Sequence, residues 1–121
     1  MALQHAASGE RIPLQRGEND IAFFTSVALA KTDNMELIRL VLPKERAMPE
    51  HMVDGEMTLL CLEGEIVCKV HSGDTVLKPG EMLYLLGGVK HSVHANVDSV
   101  ALLTILLKNG SAESRVFNTG K

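Results

Sequence analysis

The stretch MTLLCLEGEIVCKV, residues 57–70, places two short apolar runs on either side of a Glu-Gly pair. Side chains in the second run alternate between two faces, with Glu65, Val67 and Lys69 on one and Ile66, Cys68 and Val70 on the other. A strand reverses its side-chain direction at every residue, so this alternation is typical of a half-buried β-strand. The segment therefore predicts two β-strands joined by a turn at Glu63-Gly64.

The same rhythm extends in both directions along the chain. Apolar runs of about five to ten residues follow one another, separated by Gly, Pro, Asn and Asp residues that suit turns, as in an all-β sandwich or barrel. The predicted strands are Phe23 to Ala30, Met35 to Leu42, Thr58 to Leu62, Glu65 to Val70, Thr75 to Leu77, Met82 to Leu86, His91 to Ala95, and Ser99 to Leu107.

Length and charge bound the class of protein. A chain of 121 residues is the size of one domain. We expect an N-terminal segment over 1–20, a β-barrel domain over 21–108 and a tail over 109–121. The net charge of −3 comes from 12 basic and 15 acidic residues, and the basic ones are scattered, which argues against nucleic acid as a partner.

Targeting and redox features point to the cytoplasm. The chain start lacks the pattern of a secretory signal, and no run approaches the roughly 20 apolar residues of a membrane span. We expect a soluble cytoplasmic protein with no membrane partner. Cys61 and Cys68 lie in apolar runs and are predicted to be small core residues rather than a disulfide.

The segment from Ser99 to Leu107 is almost continuously apolar. Such a strand is expected to be buried on both faces, either beneath the N-terminal segment or in a subunit interface. The sequence on this ground predicts a homodimer.

Five histidines supply the candidate polar chemistry. His5 and His71 are predicted to lie in solvent, at the start of the chain and in a turn. His51 and His91 stand beside dense apolar segments, and His91 and His94 are three residues apart, so they should point to opposite faces of one strand. Only one of those two can face the interior.

Three segments carry a family resemblance: PEH at 49–51 through LEGE at 62–65, LKPGE at 77–81, and GGVKHSV at 87–93. Together they resemble a small bacterial cupin of the RmlC-like type, over roughly residues 35–107. The resemblance implies a single antiparallel β-barrel of the jelly-roll type. When the second cupin motif is aligned on Gly80, its second Gly falls on Gly88 and its His on His91. Leu86 stands where the motif has Pro, and Ala95 where it has Asn.

The first cupin motif matches less fully. When this motif is aligned on Gly64, His51 stands at its first His, Val53 at its second His and Met57 at its Glu. Of the four metal ligands of the cupin family, the resemblance therefore keeps only His51 and His91. A second alignment makes Glu56 the carboxylate, which gives the two His and one carboxylate of non-haem iron oxygenases. We favour the Gly64 alignment because it needs no bulge in the strand leading to the turn.

Two functions follow from the resemblance, and both stay open at this point. One is a small-molecule-binding cupin without enzymatic activity, with a ligand pocket inside the barrel. The other is a metal-dependent enzyme, an oxygenase or isomerase, in which His51, His91 and Glu56 hold one divalent transition metal, namely iron, manganese, nickel, copper or zinc. No catalytic residue or substrate is assigned. The predicted pocket residues are His51, Val53, Met57, Leu59, Cys61, Leu86 and His91.

Both functions have a plainer competitor. The two histidines could be core residues that bond to backbone carbonyls or to each other. An interior histidine without a partner would cost roughly 1 to 3 kcal/mol, so metal, water, ligand or backbone must meet it.

Overall fold

A computed structural model describes residues 5–23 and 26–107, which form two antiparallel β-sheets. Sheet I has the strand order β1-β2-β9-β4-β7, and sheet II has the order β3-β8-β5-β6. One short helix, α1, precedes the strands. The bounds are α1 Asp20–Phe23, β1 Val27–Lys31, β2 Met35–Leu42, β3 Ala47–His51, β4 Met57–Glu63, β5 Ile66–Val70, β6 Gly73–Leu77, β7 Met82–Leu85, β8 His91–Ala95 and β9 Ser99–Leu106.

The predicted all-β fold is confirmed, with two local differences. Strand β3, residues 47–51, was not predicted, because the sequence AMPEH contains a proline and few apolar residues. It is an edge strand, where proline is tolerated because no neighbour requires its missing N–H. Phe23 was predicted to begin a strand but lies in α1, and β1 begins at Val27. The predicted tail over 109–121 lies outside the described residues.

The two sheets do not close into the single barrel that was predicted. Edge strands β1 and β7 of sheet I pair on one side only, as do β3 and β6 of sheet II. The chain leaves sheet I at Pro43, which has no N–H for a ladder bond, and it crosses from β6 to β7 through Pro79-Gly80. The chain passes repeatedly between the two sheets, as in a jelly-roll arrangement.

The hydrophobic core lies between the sheets. Strand β4 alternates buried and half-buried residues along its length, and β8 does the same, so each sheet turns one face inward. Gly64, in the turn after β4, has a φ of +88°, and a Cβ there would collide with Ser99 Oγ and the Asp98 carbonyl. Glycine is therefore required where this turn packs on the start of β9.

Five of the eight residues of β9 are buried because the strand is central in sheet I, between β2 and β4. On its outer face, Leu102 and Thr104 are half-buried and Leu106 is exposed. Central position thus accounts for much of the apolar run, and the homodimer stays a prediction. Cys61 and Cys68 are buried free thiols, as predicted. Within the described ranges, the structure contains no helix long and apolar enough to cross a membrane.

The N-terminal segment lies against the outer side of sheet I. Arg39 of β2 holds it there by donating to the backbone carbonyls of Pro13 and Gln15, at 3.3 and 3.1 Å. A cavity of about 230 Å³ separates the segment from β1 and β2. This cavity is on the opposite side of sheet I from the core.

Candidate functional site

His51 and His91 meet inside the protein, at one end of sheet II. His51 ends β3 and His91 begins β8, and the two residues are cross-strand partners. Their ring centroids are 4.3 Å apart and the ring planes make an angle of 59°. Their exposed fractions are only 8% and 2%. The structure thus brings together the two residues of the predicted histidine pair.

Backbone contacts fix the tautomer of both rings. His51 Nδ1 lies 2.8 Å from the carbonyl oxygen of Pro49, and His91 Nδ1 lies 3.0 Å from that of Val89. A carbonyl oxygen only accepts, so in a neutral ring Nδ1 is the protonated nitrogen and Nε2 carries a lone pair. His51 Nε2 is buried and has no hydrogen-bond partner. The pair therefore offers hydrogen-bond acceptors.

The protein environment favours the neutral form of His91. Burial lowers its pKa below the usual 6.5, and the nearby His51 ring lowers it further, while the hydrogen bond to Val89 opposes both effects. Near neutral pH, His91 is therefore an uncharged acceptor rather than a cation.

Two loops close the end of the interior where the histidines lie. Residues 52–56 lead from β3 to β4, and residues 86–90 lead from β7 to β8. Gly88 N–H donates to the Val53 carbonyl at 2.8 Å, and a Cβ on Gly87 would overlap the backbone of the first loop. The loops are thus in direct backbone contact above the histidine pair.

Sequence reasoning missed a third polar residue of this interior, Glu36. It is 5% exposed, and its Oε1 is buried without a hydrogen-bond partner. It occupies the same face of β2 as Ile38, Leu40 and Leu42, which all belong to the core. Glu36 could have been identified from the sequence, because a carboxylate two residues before a run of alternating core positions is expected to face inward.

Glu36 lies at the same end of the interior as the histidines. Across sheet I it pairs with Ile105, which pairs in turn with Met57, the first residue of β4. Only the loop 52–56 separates Met57 from His51. Stacked sheets lie about 10 Å apart. The carboxylate and the histidine pair therefore occupy opposite walls at one end of the core.

The other predicted pocket residues divide into inward and outward groups. Val53, Met57, Leu59 and Cys61 are buried members of the core, although Cys61 lies about 13 Å along β4 from Met57 at roughly 3.3 Å per residue. Leu86 is 62% exposed. Because Leu85 packs against the core, the next residue turns outward, and we leave Leu86 out of the site.

Glu56 and the remaining histidines also lie outside this interior. Glu56 is exposed, one residue before the inward Met57, although its backbone carbonyl accepts from Leu106 N–H at 2.9 Å. His94 is half-buried on the opposite face of β8 from His91, as the spacing predicted. His5 and His71 are exposed.

The donor set does not fit a complete iron or zinc site. Catalytic zinc ordinarily takes three protein ligands, and non-haem iron takes two His and a carboxylate. In the described part of the chain, no three His, Cys, Asp or Glu residues are grouped closely enough to hold a metal ion. The two imidazoles thus fall short of either ligand set.

Comparisons with known proteins give the family and the fold. The model of the cupin domain family matches residues 38–107, more than half of the chain. A cupin superfamily protein from Desulfitobacterium hafniense is similar with a TM-score of 0.71 and 20% identity, covering 89% of this chain and 100% of that one. A conserved protein of unknown function from Streptococcus pyogenes has a TM-score of 0.72 and 13% identity, covering 90% and 96%. An RmlC-like cupin from Shewanella frigidimarina has a TM-score of 0.64 and 15% identity, covering 69% and 76%. A search of curated proteins finds no match.

Proposed function

Since the chain belongs to the cupin domain family, we propose that it binds a small organic molecule between its sheets, with His51 and His91 orienting the polar end. The ligand's apolar body would pack on the core residues at that end, Val53 and Met57. Ligand sites of this kind are mostly apolar with a few placed polar groups. Met57 suits a pocket wall because its unbranched side chain adapts to different shapes.

The observation that carries the proposal is the unpartnered Nε2 of His51. A buried polar atom without a partner costs about 1 to 3 kcal/mol. The Nδ1 contacts of both rings are already made by backbone carbonyls, so the plain core interpretation accounts for one nitrogen of each ring only. A hydrogen-bond donor on a ligand would satisfy the second nitrogen of His51.

Isobutanol is a suitable probe, because it combines one hydroxyl donor with a small branched apolar body. We expect a titration followed by long-range ¹H–¹⁵N spectra of the imidazole rings to shift the Nε2 resonance of His51 along a saturable curve. In His51→Leu the ligand loses its acceptor, so the affinity should fall about tenfold, the equivalent of roughly 1.4 kcal/mol. His94→Leu on the outer face of β8 is the matched control and should bind as the wild type does.

Two results would overturn the proposal. One is the absence of any saturable shift at His51, and the other is an equal affinity in His51→Leu. Metal analysis of the purified protein tests the competing function. Near-stoichiometric iron, manganese, nickel, copper or zinc, lost in both His51→Ala and His91→Ala, would replace the organic ligand with a metal-dependent role.

A further inference from the structure

We propose that Glu36 is the second polar anchor of this site, and that the ligand is a small organic ammonium ion which also carries a hydroxyl group. This inference rests on the proposed function and specifies its ligand class. The ammonium would bind Glu36, and the hydroxyl would donate to the imidazole pair on the opposite wall.

The first step is that Glu36 is buried in the core without compensation. Its Oε1 has no hydrogen-bond partner, and neither the ion pair Arg16–Glu63 nor the ion pair Arg39–Asp20 includes it. Arg39 lies on the opposite face of β2 and binds the N-terminal segment instead. A buried carboxylate is stabilised when it is paired with a cation. Lys31 is the cross-strand neighbour of Glu36 on β1, but its side chain is exposed and no ion pair joins the two in the described residues, so a cationic ligand could take that place.

The second step is that the polar atoms of this interior are acceptors. His51 Nε2 and His91 Nε2 carry lone pairs in the neutral rings, and Glu36 presents carboxylate oxygens. An anionic ligand would meet three acceptors. A ligand with N–H and O–H donors matches them.

The third step separates an organic cation from a metal ion. No ion pair joins Glu36 to either imidazole in the described residues, and these three residues do not form a metal-holding group. Acceptors on opposite walls fit separate donors on one small molecule better than a single ion. Two apolar residues follow Glu36 across sheet I, Ile105 and then Met57, and both would contact the ligand's body.

Three probes of similar size test this assignment: valinol, which carries an ammonium and a hydroxyl, isobutanol, which is neutral, and isovalerate, which is anionic. Calorimetric titration should show valinol binding at least about tenfold more tightly than isobutanol, because a hydrogen bond to a charged group contributes roughly 1.5 to 3 kcal/mol. Isovalerate should not bind. Glu36→Gln should remove most of the valinol advantage and leave isobutanol affinity within about twofold.

Glu56→Gln is the matched control, since it neutralises an exposed carboxylate at the same end of the fold. It should leave all three affinities unchanged. If isobutanol binds through His51 but valinol has no advantage, or keeps its advantage in Glu36→Gln, the ammonium assignment is wrong and the proposed function survives. If neither isobutanol nor valinol binds, both are wrong. Circular dichroism of Glu36→Gln confirms that a lost affinity does not reflect unfolding.

Discussion

Replacing Glu36 by leucine should stabilise the ligand-free protein. The change removes a buried carboxylate with an unpartnered oxygen and places an apolar side chain in line with Ile38 on β2 and beside Ile105 on β9. Relief of the unsatisfied group is worth about 1 to 3 kcal/mol. Leucine differs in shape from glutamate, so packing strain should offset part of this stabilisation. We expect the free energy of unfolding to rise by about 2 kcal/mol.

Urea unfolding measures this gain directly. With a slope of about 1 to 3 kcal/mol per molar urea, the midpoint should rise by roughly 1 M. The protein is first refolded from urea and dialysed, so that a bound cation does not stabilise the wild type. Glu56→Leu, at an exposed site, should change the free energy of unfolding by less than about 0.5 kcal/mol. A loss of more than about 1 kcal/mol in Glu36→Leu would refute the reasoning, because it would show that the carboxylate has a stabilising partner within the chain.

Three further outcomes follow from the same geometry. Because burial lowers the pKa of His91 in the folded protein, the unfolded chain takes up a proton more readily. The contribution of His91 to the free energy of unfolding should therefore be at its maximum above about pH 6.5 and fall as the pH drops below that value. Urea midpoints across this range should fall less in His91→Gln than in the wild type, and an equal fall would contradict the assignment. Gly87→Ala should lose about 1 to 3 kcal/mol by overpacking, since its Cβ would overlap the Asp54 carbonyl, and an unchanged midpoint would mean that the two loops separate in solution. Burial, with a smaller effect of Asp74, raises the pKa of Cys68 to about 11, so a thiol reagent at mildly alkaline pH should label Cys68 only after unfolding; rapid labelling of the native protein would show that β5 opens.

Much of the fold could be predicted from local patterns. The turn at Glu63-Gly64 and the strand after it depend on adjacent residues, and the structure has both where the sequence indicated. Ile66 and Cys68 face the core as predicted, although Val67 on the other face is buried as well. Strand β3 could not be found in this way. AMPEH has neither apolar alternation nor β propensity, and its strand conformation depends on pairing with β8. An edge strand stabilised by its neighbour leaves little trace in its own residues.

The candidate site divides in the same manner. By itself the sequence determined that His91 and His94 face opposite sides of one strand, because side-chain alternation is a local property of an extended chain. The sequence also determined that Glu36 lies on the same face of β2 as Ile38, because the two are two residues apart. Only the tertiary structure decided that Glu36 and the two imidazoles share one end of the interior. Strand order and register fix that juxtaposition, and both depend on pairing between residues far apart in the chain, which no local pattern specifies.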